Sequence, residues 1–185
     1  MTSSRARMTE QRQCRIVLVG MMGSGKSTIG KLLSAATGWP YVDNDELVIR
    51  AAGATPRDLV AQRGEAAMRK AESEALRLGL RTPAPSVIGA AGGTILDPGD
   101  REQMRSNAIV AWMRADPDAL ESRAVGAAHR PWLDEDAAAW LRRTAAERDP
   151  LYASIADIVI DTTRGSPQEA AEELRRRLEA FESCG

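Results

Sequence analysis

The chain has 185 residues, 43% of them hydrophobic, which suits one domain with a sizeable core and argues against two independent domains. Lys and Arg number 25 against 26 Asp and Glu, so the formal net charge of -1 provides no overall attraction to nucleic acid or to an anionic membrane surface. The two cysteines, Cys14 and Cys184, lie near opposite ends and outside any CxxC pattern. A structural disulfide or zinc site is therefore not expected.

The first residues differ in character from the rest of the chain. Residues 1–13 are polar and mixed in charge, without the apolar segment of a signal peptide, and no later run reaches membrane-spanning length. We expect a flexible N-terminal tail over 1–13, followed by a single domain over 14–185. The expected setting is the reducing cytoplasm.

Apolar runs rich in β-branched residues alternate with helical patterns along the chain. The strand-like runs lie at residues 16–19, 87–88, 108–112 and 158–160, with a further short stretch ahead of Asp43. The helical stripes lie at Ile29, Leu32, Leu33 and Ala36, at Met68, Ala71, Ala75 and Leu78, and at Ala171, Leu174, Leu178 and Phe181. Continuous apolar runs indicate strands buried on both faces. The alternation predicts an α/β fold with a parallel sheet covered on both sides.

Residues 116–152 form a further periodic region, interrupted at residues 125–131 by glycine and proline. These residues make one continuous helix improbable. We expect two helices joined by a mobile flap.

The most specific motif is Gly20-Met21-Met22-Gly23-Ser24-Gly25-Lys26-Ser27-Thr28, which matches G-x-x-x-x-G-K-[ST] between a strand pattern and a helix pattern. Glycines allow backbone N–H groups to surround phosphates, and the helix N-terminus adds its dipole. We expect Gly23, Ser24, Gly25, Lys26, Ser27 and Thr28 to bind ATP, with Lys26 at the β- and γ-phosphates and Ser27 at Mg²⁺. A turn formed for packing alone is the alternative. The loop by itself indicates a nucleotide but not the acceptor, since GTPases, ATPases and many kinases share it.

Two carboxylates, Asp43 and Asp45, follow the second strand-like stretch. Ligands of α/β sheets bind outside the carboxyl ends of the strands, so both are expected in the site. Asp43 would hold the metal through water, and Asp45 would accept hydrogen bonds from acceptor hydroxyls and help take the proton of the attacking one. The alternative is helix capping by Asp43 or Asn44, and capping is our interpretation of Asn44.

The order of motifs resembles that of the shikimate kinase family over roughly residues 15 to 168. The motifs are the phosphate loop, Asp43–Asp45, Gly64–Glu72, Gly92-Gly93, Arg130-Pro131 and Arg148–Tyr152. The resemblance implies a three-layer P-loop kinase fold with a five-stranded parallel sheet and a mobile lid. It also implies transfer of the γ-phosphoryl group of ATP, with Mg²⁺, to a ring hydroxyl of shikimate in the aromatic amino-acid precursor pathway. The chain departs from the family at Ala91, where a glycine is usual, and at Trp132, where a leucine is usual.

The resemblance also assigns the acceptor site, to a region of about residues 45 to 80 and to later residues. It places the acceptor carboxylate at Arg69 and Arg148, which suits the paired donors of a guanidinium. Gly92 and Gly93 would contact the acceptor through bare backbone. The alternatives are an exposed ion-paired helix for Arg69, with Glu65 and Glu72, a solvated surface for Arg148 and a simple tight turn for the glycines.

A lid over about residues 124 to 133 would bring Arg130 to the transferring phosphoryl group, and Arg123 resembles the arginine beside the adenine. The implied catalytic residues are thus Lys26, Asp45 and Arg130. The alternative for both Arg123 and Arg130 is an ordinary surface residue without a role in the site. The expected partner is a small-molecule substrate. We expect no nucleic-acid partner and no membrane association, and we expect the protein to be a monomer. The alternative functions are a same-fold kinase of another hydroxy or sugar acid, and a nucleotide-binding regulatory protein without transferase activity.

Overall fold

The computed structural model describes residues 14–124 and 137–181. Its five parallel strands form one sheet in the order β2-β3-β1-β4-β5. The strands are β1 Arg15–Val19, β2 Tyr41–Asp43, β3 Ser86–Gly89, β4 Ile109–Arg114 and β5 Ile158–Asp161. The α-helices of the described ranges are α1 Lys26–Thr37, α2 Asn44–Ala52, α3 Pro56–Arg63, α4 Glu65–Gly79, α5 Pro98–Asn107, α6 Pro117–Ala124, α7 Ala137–Ile155 and α8 Pro167–Leu178, and a 3₁₀ turn covers Thr94–Leu96.

The sheet is covered by helices on both faces, as its continuous apolar runs predict. Successive residues of a strand point to opposite faces, so Ile16 and Leu18 join one core cluster whereas Val17 and Val19 join another. The first cluster is completed by α1 and α8, and the second by α4, α5, α6 and α7. The predicted α/β fold with a five-stranded parallel sheet is confirmed.

Two details of the predicted burial are wrong. Val159 of the edge strand β5 is 39% exposed, because that strand is covered on one face only. Leu78 of the predicted stripe on α4 is 47% exposed, and the neighbouring Leu76 is buried in its place. In both cases the sequence pattern is apolar while the position faces outward.

The helices α2, α3 and α4 form a separate small core beside β2. Its buried members are Leu47, Val48, Leu59, Met68 and Ala75. Thr55 caps α3 with a capping box, and Gly64, at φ 82°, both ends α3 and precedes α4. The region of about residues 45 to 80 expected to bind the acceptor is therefore a packed helical unit at one edge of the sheet.

The strand register brings the functional segments to one end of the sheet. Gly89, the last residue of β3, lies beside both Leu18 of β1 and Asp43 of β2. The phosphate loop follows β1, Asp45 follows β2, and Gly92-Gly93 follow β3. Because parallel strands end at the same edge, these segments surround one crevice.

The expected helix pair of residues 116–152 is present as α6 and α7. The flap between them, with Arg130 and Trp132, lies outside the described residues, as does the tail over 1–13. Over the described ranges, none of the helices has the length and apolarity needed to cross a membrane.

Candidate functional site

A cavity of 840 Å³ occupies the carboxyl end of the sheet. Its walls combine the phosphate loop, the start of α2, one face of α4, the turn after β3 and the segment after β5. Of the expected site residues, those that line it are Gly23, Gly25, Lys26, Ser27, Thr28, Asp43, Asp45, Arg69, Gly92, Gly93, Arg123 and Arg148. Ser24 is fully buried behind the loop, and Arg130 lies outside the residues described.

The phosphate loop has the backbone that its glycines permit. Gly20, Gly23 and Gly25 have φ values of 142°, 83° and 92°, which other residues rarely adopt. A Cβ on Gly20 would also stand 2.5 Å from the carbonyl oxygen of Met113. Lys26 begins α1, and its Nζ donates hydrogen bonds to the carbonyls of Gly20 (2.8 Å) and Met21 (2.9 Å). The ammonium therefore lies over the loop, where the phosphates of a nucleotide would bind.

Asp43 connects the loop to the start of α2. Its Oδ2 accepts hydrogen bonds from Ser27 Oγ at 2.9 Å and from the Tyr41 hydroxyl at 2.8 Å. Its Oδ1 accepts one from the backbone N–H of Asp45 at 3.0 Å, which makes Asp43 the N-cap of α2. Our interpretation of Asn44 as the cap is therefore wrong. Asn44 is already helical and is 1% exposed, and neither polar atom of its side chain has a hydrogen-bond partner among the described residues.

These groups have the chemistry that Mg²⁺ prefers. The ion binds oxygen ligands and keeps several waters when it accompanies a nucleotide. The Ser27 hydroxyl and the Asp43 carboxylate supply two oxygen donors next to the phosphate loop, and both residues line the cavity. The residues present therefore fit the ion, which Ser27 would bind directly and Asp43 through water.

Tyr41 stabilises the Ser27–Asp43 pair through its hydrogen bond to Asp43. Its ring lies against two glycines, since a Cβ on Gly30 would stand 2.3 Å from Cε2 and one on Gly89 would stand 2.4 Å from the hydroxyl. Burial, followed by the neighbouring charge of Asp43, raises the pKa of Tyr41 well above its ordinary value. The phenol therefore stays protonated and acts as a donor at any physiological pH.

On the opposite wall, Arg69 is held on one face of α4 by two carboxylates. Its Nη2 donates to Glu65 and its Nη1 to Glu72, both at 2.9 Å. Burial raises the pKa of Glu72, and the charge and hydrogen bonds of Arg69 partly offset that effect. The expected fixing of the guanidinium by Glu65 and Glu72 is present.

The Gly92-Gly93 turn joins the two walls. A Cβ on Gly92 would stand 3.3 Å from the carbonyl oxygen of Gly20 in the phosphate loop, whereas one on Gly93 would stand 1.6 Å from Arg69 Nη1. The Gly92 carbonyl accepts hydrogen bonds from Tyr152 at 2.8 Å and from Arg148 Nη1 at 3.2 Å. The turn therefore fixes Arg148 and leaves no room for a side chain beneath Arg69.

Arg148 lines the cavity while its Nη1 donates to the Gly92 carbonyl. Its Nε is buried and has no hydrogen-bond partner within the described parts of the chain. Asp45, Arg69 and Arg148 line the cavity together with Glu72, and the charges of all three affect the pKa of that carboxylate. The three residues thus share one end of the cavity.

Ala91 also lines the cavity, one residue ahead of the glycine pair. It does not require a positive φ, because Cys14 is the one non-glycine residue with positive φ among those described. The alanine methyl is therefore compatible with the backbone of this turn.

At the far end, Arg123 ties the loop to the segment after β5. It donates to the carbonyls of Gly23 (3.3 Å), Thr162 and Thr163 (3.5 Å). Arg164 follows in the same wall. The guanidinium is engaged by backbone carbonyls beside the phosphate loop, and its contact with the adenine stays a prediction.

Sequence reasoning missed Tyr41 and Tyr152 as contributors to the site. Each donates to a site residue, Asp43 and Gly92 respectively. Tyr41 lies two residues before Asp43 in the strand β2, which is a usable signal. Tyr152 ends the Arg148–Tyr152 motif, but Gly92 is 60 residues away and no local pattern predicts the contact between them.

Comparisons with known proteins agree with this geometry. The family model described as shikimate kinase matches residues 22–179. The shikimate kinase of Symbiobacterium thermophilum is 40% identical over 169 residues, covering 89% of this chain and 95% of that protein. The shikimate kinase of Paramagnetospirillum magneticum is 40% identical over 154 residues, covering 83% and 78%.

Solved structures agree as well. A shikimate kinase from Acinetobacter baumannii in complex with shikimate has a TM-score of 0.86 at 28% identity, covering 93% of this chain and 96% of that one. The three-layer P-loop kinase fold is thereby confirmed, and the relationship implies the use of a nucleotide. Over most of its length, and with the motifs of its cleft in place, this chain belongs to the shikimate kinase family of small-molecule kinases.

Proposed function

We propose that the protein transfers the γ-phosphoryl group of ATP to a ring hydroxyl of shikimate, giving shikimate 3-phosphate and ADP. The observation that carries this proposal is the Gly92-Gly93 turn, which contacts both the phosphate loop and Arg69. A nucleotide on the loop and a carboxylate at the two arginines would therefore face each other within one cavity.

The acceptor would bind through its carboxylate to Arg69 and Arg148. Guanidinium groups offer paired donors that match a planar carboxylate. Arg69 is already oriented by Glu65 and Glu72, so little freedom is lost on binding. Arg148 is likewise held at the wall of the cavity, by the hydrogen bond that its Nη1 donates to the Gly92 carbonyl.

Asp45 would receive the proton of the attacking hydroxyl. It is exposed to the cavity and projects from the start of α2, next to the Ser27–Asp43 pair. As the hydroxyl oxygen bonds to the γ-phosphorus, the bond from that phosphorus to the bridging oxygen breaks and ADP leaves. The hydroxyl proton passes to the Asp45 carboxylate.

Charge on the transferring group would be stabilised by Lys26 and by the backbone N–H groups at the start of α1. Mg²⁺, held by Ser27 and through water by Asp43, would neutralise phosphate charge when bound. Arg130, outside the described residues, remains our prediction for a closing lid. We further propose that the protein acts as a monomer in the cytoplasm.

The experiment is ADP release, measured by a coupled assay with Mg²⁺, with and without shikimate. Release that depends on shikimate, with ³¹P NMR showing a new phosphate ester, supports the proposal. ADP release with other polyol carboxylates but not with shikimate would favour the same-fold kinase of another acid. ATP binding without turnover on any of them would favour the regulatory protein.

A pair of variants sharpens this test. Arg69→Lys keeps the charge but loses the paired donors, so the KM for shikimate should rise while the KM for ATP stays close to normal. Lys70→Ala is the matched control, because that side chain is 79% exposed on the same helix and is not among the residues of the cavity. Equal changes in both KM values for Arg69→Lys would contradict the carboxylate role.

A further inference from the structure

We propose that Tyr41 is a positioning residue for the metal-bound nucleotide, holding the Asp43 carboxylate in the orientation in which it accepts the hydrogen bond of the Ser27 hydroxyl. This inference rests on the proposed function, because it concerns how the same site receives the nucleotide with Mg²⁺. Tyr41 is not among the residues that line the cavity, and it acts through Asp43.

The Asp43 carboxylate accepts hydrogen bonds at both of its oxygens. Its Oδ2 receives two donors, Tyr41 at 2.8 Å and Ser27 at 2.9 Å, and its Oδ1 receives the Asp45 N–H at 3.0 Å. Three hydrogen bonds spread over the two oxygens restrict the rotation of the carboxylate. Removing the phenol would leave Oδ2 with Ser27 alone, and the group could then turn toward water or the cation.

The phenol ring of Tyr41 is itself held in place by the backbone of two glycines. The Tyr41 ring fills the space above Gly30 of α1 and Gly89 of β3, where added Cβ atoms would stand 2.3 Å and 2.4 Å away. No side chain could stand at either position without moving the ring. The position of the hydroxyl is therefore set by two elements, the helix α1 that follows the phosphate loop and the strand β3 of the sheet.

The hydroxyl of Ser27 is oriented by its hydrogen bond to Asp43. When its hydroxyl donates to Asp43, its lone pairs are directed away from that carboxylate and are available to a cation. This arrangement exists only while Asp43 stays in place. Tyr41 thereby preorganises a metal ligand through the Asp43 oxygen to which both hydroxyls donate, and preorganisation of this kind lowers the cost of binding.

The test is isothermal titration of ADP into the unaltered protein and into Tyr41→Phe, with Mg²⁺ and with excess EDTA. We expect Tyr41→Phe to weaken binding about tenfold with Mg²⁺, the size expected for a lost hydrogen bond to a charged group, and to leave binding in EDTA unchanged. In steady state the KM for ATP should rise while the KM for shikimate stays the same. In an Asp43→Asn background, Tyr41→Phe should have no further effect.

Tyr152→Phe is the matched control. It removes a hydrogen bond of the same 2.8 Å length, donated by the other tyrosine of the chain to Gly92 on the acceptor side of the cavity. The ratio of the ADP affinity with Mg²⁺ to the ADP affinity in EDTA should therefore not change. A Tyr41→Phe protein that fails to fold, or that binds ADP more weakly in both conditions, would show a structural role and overturn the inference. So would unchanged binding with Mg²⁺. If the unaltered protein does not release ADP with shikimate, the proposed function fails instead.

Discussion

The guanidinium of Arg69 lies directly against the backbone of Gly93. A Cβ at Gly93 would stand 1.6 Å from Nη1 and 2.5 Å from Cζ. Because Glu65 and Glu72 hold the same guanidinium at 2.9 Å each, it cannot move aside without losing an ion pair. Gly93→Ala should therefore raise the KM for shikimate about tenfold, as for loss of one charge-assisted hydrogen bond, with little change for ATP.

Gly92→Ala provides the comparison for that measurement. Its Cβ would stand 3.3 Å from the nearest atom, the Gly20 carbonyl oxygen, which requires a shift of only a few tenths of an ångström. Its effect on the KM for shikimate should be smaller than that of Gly93→Ala. A larger effect would mean that steric exclusion beneath Arg69 is not what the glycine provides.

Glu72 makes the stability of an Arg69→Ala variant depend on pH. Burial raises the pKa of Glu72, and Arg69 offsets part of that rise. Without Arg69 the pKa should rise further, so the folded state binds the proton more tightly than the unfolded chain does. The resulting stability is present below the ordinary pKa of 4.5 and is lost as pH rises through the folded value.

Urea unfolding at mildly acidic and neutral pH measures this effect. We expect Arg69→Ala to lose about 1.5–3 kcal/mol of unfolding free energy at neutral pH, and less in acid. Adding Glu72→Gln should remove the difference between the two pH values. A loss independent of pH would assign the destabilisation to packing of the arginine stem.

The local parts of this site were predictable from sequence, whereas the parts made by distant contacts were not. The phosphate loop and the strand that precedes it are encoded in consecutive residues, so pattern alone located them. Asn44 was misassigned because Asp43 and Asn44 are adjacent and both residue types can cap a helix. The N-cap is Asp43, whose φ of -96° and ψ of 132° are extended. Tyr41 depends on Gly30 and Gly89, which no local pattern connects to it.

Asp45→Asn tests the proton acceptor. The amide keeps the size of the carboxylate but cannot take a proton, so kcat should fall by about 10²–10⁴ while both KM values change little. Glu46→Gln is the control, since Glu46 is the next residue of α2, is exposed and is not among those lining the cavity. A retained kcat in Asp45→Asn would leave the aspartate with an orienting role only.

The two tyrosines should resist ionisation in alkali. Burial raises the pKa of both Tyr41 and Tyr152 well above the ordinary value of 10.0. The near-ultraviolet absorbance of tyrosinate should therefore be absent from the native protein at about pH 10.5, where the unfolded chain is mostly ionised. Since the unfolded chain releases these protons first, stability should be unaffected below pH 10.0 and should fall as pH rises above it. Ionisation of one tyrosine near its ordinary pKa in the folded protein would show that this hydroxyl is open to solvent, and the Tyr41→Phe and Tyr152→Phe variants would identify which one.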